Sequence, residues 1–319
     1  MRKFSTPAVF TGIVGLSLLA TGCSQLDNLQ ARMSFREANG LYQGQNWEEA
    51  AVKYEETVAR NPTDPQLLTS YFFLGNSYDN LYLPSRRGRQ ANDDLLVKAV
   101  ENYKKSVEVT IDNPAIRTLS LQYLVAAYGP DKLNDPLQSE PLLQQMIQMD
   151  PNEVPNYVLL ARLYEDFGDY ERAEATLIQA REARPDEGSL YTTMAAYYDR
   201  QGEFDKLVEA LQTRTEKEPN NPEAFYTMAT YYFNKASTDF SLSVADKEQY
   251  AMEGIEIVDK AIALNKDYEE ALTYKNLFLR LQANMETSVS RQKILLAEAD
   301  EFRDRAAEVR TLKASGLIG

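Results

Sequence analysis

Apolar positions in the middle of this 319-residue chain recur with a helical period. Tyr157, Leu160, Ala161 and Tyr164 lie three, one and three residues apart, which places them on one face of a helix. Gly168 follows as a turn residue able to take positive φ. Tyr170, Ala173, Leu177 and Ala180 then form the apolar stripe of a second helix, whose two alanines let neighbouring helices approach closely. Pro185 ends the unit because it cannot continue a helix. Residues 188–221 repeat the pattern with Tyr191, Met194, Ala195, Tyr198, Gly202, Phe204, Leu207, Leu211 and Pro219.

The two copies are in register at a period of 34. Pro151, Pro185 and Pro219 keep it, as do Ala161, Ala195 and Ala229, the tyrosines Tyr164, Tyr198 and Tyr232, and the series Tyr157, Tyr191 and Phe225. Weaker copies extend it in both directions. Residues 31–64 keep Trp47, Ala50, Tyr54 and Pro62. The next unit keeps Tyr71, Leu74, Gly75 and Tyr78, then meets an insertion near 83–95 before Ala99 and Tyr103. A third reads Leu124, Tyr128, Met146 and Pro151 around a proline-broken turn at 129–141. A sixth begins with Phe225, Met228, Ala229 and Tyr232 and carries a second insertion near 236–248 before Gly254, Val258 and Ala261. A last helix pair at 269–282 and 288–313 lacks the signature, as terminal units of repeat arrays do.

This pattern resembles the tetratricopeptide repeat (TPR), a helix-turn-helix unit. The resemblance implies an all-α fold, a right-handed superhelical solenoid of about six repeats over 31–285, with a C-terminal capping helix and tail at 286–319. It also implies protein binding. In this family the first helix of each unit lines a concave groove, and residues one position after the packed sites face it. Carried over, the groove positions are Phe35, Asn39 and Tyr42 in the first unit and Phe72, Asn76 and Asp79 in the second. Later units add Val158, Arg162 and Glu165, then Thr192 and Asp199, then Tyr226 and Phe233. Aromatic and asparagine side chains suit a peptide, burying its apolar groups and satisfying its backbone; the aromatics equally suit packing between units. Chaperone-binding members clamp a carboxylate with lysines beside groove asparagines. Phe35 and Phe72 stand where those lysines would be, so carboxylate capture is not expected.

Ahead of the repeats the pattern changes. Arg2 and Lys3 precede an uncharged apolar run at 8–20 and the small residues Ala20, Thr21 and Gly22, the layout of a secretory signal at 1–22. The run is shorter than the roughly 20 residues a spanning helix needs. Cys23 is the sole cysteine, so it can form no internal disulfide. Leu19-Ala20-Thr21-Gly22-Cys23 resembles a bacterial lipobox, with alanine at 20 where leucine is usual. The resemblance implies acylation of Cys23, a tether at 23–30 and a membrane-anchored protein facing the periplasm. Ser24 implies the outer membrane.

Charge and missing residues narrow the function classes. The net charge is -14, and -16 once Arg2 and Lys3 are removed, which repels nucleic acid on average. Arg86, Arg87 and Arg89 in the first insertion are a local exception, able to meet an acidic partner or to lie solvated ahead of a helix capped by Asn92. The chain has no histidine, which removes the usual triads and nearly every zinc site, and it has no glycine-rich phosphate loop. The expectation is therefore a non-catalytic scaffold without metal or cofactor, binding a protein or peptide in the envelope and serving assembly of outer-membrane, secretion or pilus complexes. An envelope receptor for a glycan or peptide is the alternative, and a carboxylate-dependent enzyme the third reading.

Overall fold

A computed structural model describes residues 14–317, with side chains from 25 to 317. The first thirteen residues of the signal segment and the Cys23 side chain lie outside that description. Among the described residues there are fourteen α-helices and no strand. They run α1 (Val14–Gln43), α2 (Trp47–Arg60), α3 (Ser70–Leu81), α4 (Gln90–Val109), α5 (Pro114–Ala127), α6 (Ser139–Met149), α7 (Val154–Asp166) and α8 (Tyr170–Ala183). After these come α9 (Gly188–Gln201), α10 (Phe204–Lys217), α11 (Pro222–Thr238), α12 (Val244–Leu264), α13 (Glu269–Met285) and α14 (Val289–Ala314). The chain divides into two compact units, the boundary falling after Ala173 inside α8.

The odd-numbered helices are the first members of the repeats and the even-numbered ones the second. The second helices from α2 to α12 bury a stripe at i, i+4 and i+7: Ala50, Tyr54 and Thr57 in α2, Ala99, Tyr103 and Ser106 in α4, Gly254, Val258 and Ala261 in α12. Gly168 and Gly202 both take φ of +74°, the left-handed turn between helices that the glycines predict.

Two contacts recur with the repeat. Tyr157 donates to the Pro151 carbonyl at 3.0 Å and Tyr191 to the Pro185 carbonyl at 2.7 Å, so each proline that ends a unit also receives the next unit's first aromatic. Phe225 has no hydroxyl to continue the series. In the second contact a tyrosine of a first helix donates to a glutamate of the preceding second helix. Tyr164 meets Glu140 at 2.9 Å and Tyr198 meets Glu174 at 3.0 Å; Tyr78 meets Glu55 in the same way. A cation closes each trio: Arg172, Lys206 and Lys98 pair with those glutamates and lie over the tyrosine rings at 4.3, 5.4 and 4.8 Å. Burial first, and the glutamate second, hold the phenols of Tyr78 and Tyr198 above their ordinary pKa.

The insertions take up their extra residues differently from expectation. Near 83–95, a short 3-10 turn at Pro84–Arg86 leads into an α4 of 20 residues that starts at Gln90. Asn92 is therefore not the helix cap: its buried side chain accepts the Leu83 N–H at 2.9 Å and fastens the loop, while Asp93 accepts the Gly88 N–H at 2.9 Å. The second insertion is mostly helix. It lengthens α11 to 17 and α12 to 21 residues, leaving 239–243 as the turn, and a reciprocal Ser243–Asp246 capping box starts α12. Residues 25–30, read as tether, continue α1, and Gln30 accepts a hydrogen bond from Arg60.

Candidate partner-binding faces

In the first unit, two clefts open on first helices of repeats. One, of about 380 Å³, lies between α1 and the segment entering α3 and is lined by Leu29, Arg32, Met33, Phe35, Arg36, Asn39, Gln66 and Leu67. The other, of about 490 Å³, runs along α5 past Ala115, Thr118, Leu119 and Gln122 to Met149 and Asp150. Both combine apolar walls with a few polar groups, the composition that suits a peptide or protein segment.

The expected groove residues divide between surface and interior. Phe35 and Asn39 line the α1 cleft, Phe35 against the Tyr54 ring at 6.3 Å and Asn39 accepting from the Tyr54 hydroxyl at 2.7 Å. Their counterparts on α3 are interior. Phe72 is buried between the rings of Tyr103 and Tyr123, at 5.9 and 5.5 Å. Asn76 is buried too: it accepts from Tyr42 at 2.7 Å and donates to Tyr103 at 3.3 Å. Tyr42 packs edge-on against Trp47 and Phe73, each at 5.0 Å. The Asp79 carboxylate is nearly enclosed; it binds the Lys132 ammonium at 2.5 Å and accepts from Tyr103 at 3.3 Å.

The reason is close packing on α3. A Cβ on Gly75 would stand 2.9 Å from the Tyr103 ring, so only glycine lets α4 come this near. The groups that would face a groove at this register instead become the polar floor of the unit. Burial first, then Asp79, raises the Tyr103 pKa, keeping this phenol a neutral donor.

On α7, Arg162 is exposed and pairs with Glu165 and Asp166 at 3.7 and 3.1 Å. In the second unit Tyr226 packs edge-on against Tyr268 and Tyr274, and Phe233 against Tyr274 and Phe278, all at 5.3–5.5 Å. Thr192 accepts a hydrogen bond from Arg214 at 2.9 Å. Arg86, Arg87 and Arg89 are exposed, and the Arg87 guanidinium donates to the Pro130 carbonyl at 3.2 Å. The carry-over rule did not reach Leu29, Met33 and Arg36 on α1, nor Thr118, Leu119 and Gln122 on α5. A second apolar stripe opposite the packed one was the available signal on α1.

The comparisons with known proteins agree with this geometry. The family model described as Tetratricopeptide repeat matches residues 132–197. Residues 132–197 carry tetratricopeptide repeat sequence. No curated protein matches it. Among solved structures, the C-terminal part of a TPR repeat-containing protein from Cytophaga hutchinsonii is similar over 86% of this chain and 98% of that one, at 15% identity and a TM-score of 0.51. A MamA protein is 17% identical, covering 67% of this chain and 98% of its own, with a TM-score of 0.44. YrrB, a TPR protein with an unusual peptide-binding site, is 16% identical, covering 60% of this chain and 89% of its own, with a TM-score of 0.39. At 15% identity the likeness to the Cytophaga hutchinsonii protein speaks to fold alone. Tetratricopeptide repeats present extended surfaces to protein or peptide partners.

Proposed function

We propose that this scaffold is anchored through an acylated Cys23 to the periplasmic face of a bacterial envelope membrane, the outer membrane by its Ser24. There it holds a protein partner on the exposed first-helix faces during assembly of an outer-membrane, secretion or pilus complex. The observation that carries the reading is the order of parts: a basic, apolar and small-residue segment ending at the sole cysteine, then a repeat array only eight residues later. Two or more acyl chains give durable attachment where one is marginal. The cleft on α5 supports the partner-binding half. It is open, partly apolar and walled by α5 and the end of α6.

A receptor for a small soluble ligand has less behind it. Trp47, the one tryptophan, packs edge-on against Tyr42. Replacing Cys23 by alanine tests the anchor. Loss of acyl labelling and release of the chain from membranes is the expected result; unchanged membrane retention contradicts the anchor.

A further inference from the structure

Helix α1 has two apolar faces. Ala31 and Ala38 are fully buried against the unit. On the opposite side Leu26, Leu29 and Met33 are 55, 58 and 63% exposed, three large apolar side chains on one stretch of helix that no other described residue covers. Basic residues flank the stripe in a chain whose net charge is -14. Arg32 bonds Asn28 at 3.0 Å and Asp64 at 3.1 Å, and Arg60 lies 3.9 Å from Asp27 and donates to Gln30. Arg36 makes no ion pair or hydrogen bond among the described residues. The nearest acid further along the face, Glu37, is taken by Lys53 at 3.3 Å.

We propose that this face of α1 docks on the lipid surface beside the anchor, Leu26, Leu29 and Met33 entering the headgroup region and Arg36 meeting anionic phosphates. The inference rests on the acylated Cys23 of the proposed function. Leu26 follows Cys23 by three residues and Met33 by ten, so the stripe begins within one helical turn of the cysteine. At 1.5 Å per residue Met33 lies within about 15 Å of the anchor, so the stripe reaches the bilayer without any extension of chain. No helix among the described residues is long and apolar enough to cross a membrane, which leaves contact along the surface. Charge selects lipid over a second copy of this chain: the stripe is rimmed by arginines, and Arg36 has no partner among the described residues. Docked in this way, α1 fixes the orientation of the first unit on the membrane.

The test supplies the anchor chemically, so that it does not depend on acylation in the cell. The chain from Cys23 onward is coupled through Cys23 to a maleimide lipid in phosphatidylethanolamine vesicles containing phosphatidylglycerol and brominated acyl chains. Met33→Trp provides a reporter, and Leu137→Trp, at an exposed site on the same unit, is the control. The expected result is that quenching of Met33→Trp exceeds that of the parent chain by at least about twofold, and that it falls when Arg36→Glu is added or phosphatidylglycerol is left out. Leu137→Trp stays near the parent value. Equal quenching of the two reporters overturns the proposal. So does a concentration-dependent blue shift of Met33→Trp without vesicles, which would assign the stripe to a second copy. Failure here leaves the acylation of Cys23 to be judged by its own labelling experiment.

Discussion

Two neighbouring helices of the second unit come close at Gly254 of α12, and this gives a quantitative prediction. A Cβ built there would lie 2.2 Å from Cζ and 2.4 Å from Cε1 of Phe278 on α13. The ring would have to retreat by more than an ångström to restore ordinary contact. It has little room to do so, being fully buried and held edge-on by Phe233 at 5.3 Å. Overpacking of this kind costs about 2–3 kcal/mol, against about 1 kcal/mol gained when alanine replaces glycine in a helix, so Gly254→Ala should destabilise by about 1–2 kcal/mol net. Gly40 is the control: it too sits inside a helix, and nothing lies within 4 Å of its added Cβ. Gly40→Ala should therefore stabilise, by about 0.5–1 kcal/mol. Denaturant unfolding followed by far-UV circular dichroism, with midpoints compared at unchanged slope, reads both. Equal effects of the same sign at the two sites would refute the close approach of α12 and α13.

Three further outcomes follow from other sites. The Arg214 guanidinium is nearly enclosed and bonds Glu218, Thr192, Thr227 and Glu223, at 3.3, 2.9, 3.3 and 3.5 Å; Arg214→Ala should cost about 2–4 kcal/mol, and Arg214→Lys should recover only part in the same denaturant assay. Burial pushes the phenols of Tyr232 and Tyr268 up to about 12, with Glu253 and Glu270 as the next causes. The fold prefers the neutral phenol, so this stability is complete below about pH 10, where free tyrosine ionises, and is lost as pH rises through about 12. With no histidine, melting temperature should stay level between about pH 6 and 9, and alkaline unfolding should coincide with tyrosine ionisation in absorbance. Cys23→Ala should move the protein from the membrane to the soluble fraction without changing its melting temperature.

The helix pairing was legible in the sequence because packed positions are constrained in both type and spacing. Tyr157, Ala161 and Tyr164 must share a face, Gly168 must turn and Pro185 must stop, and each lies where the spacing places it. The final pair, expected at 269–282 and 288–313, runs over Glu269–Met285 and Val289–Ala314. Insertions were harder to read, since extra residues can lengthen a helix or form a loop. The capping box at Ser243 and Asp246 was the overlooked signal for helix in the second one. The groove was legible only in part. One register rule was applied to every first helix, yet Gly75 lets Tyr103 press on α3 and turns Asn76 inward, whereas Phe35 and Asn39 on α1 line a cleft. The glutamate of each tyrosine-centred trio lies some 24 residues back on another helix, a spacing that no single-helix pattern displays.

The central claim is that exposed first-helix faces hold a protein partner while the chain is fixed to the membrane. A photo-crosslinking residue placed at Leu119, on the α5 cleft, tests it directly in cells, with Val97 on the exposed side of α4 as the control. The account predicts a discrete protein adduct from Leu119 that is absent from Val97 and is lost when Cys23 is replaced by alanine. No adduct from Leu119, or the same adducts from both positions, would contradict it.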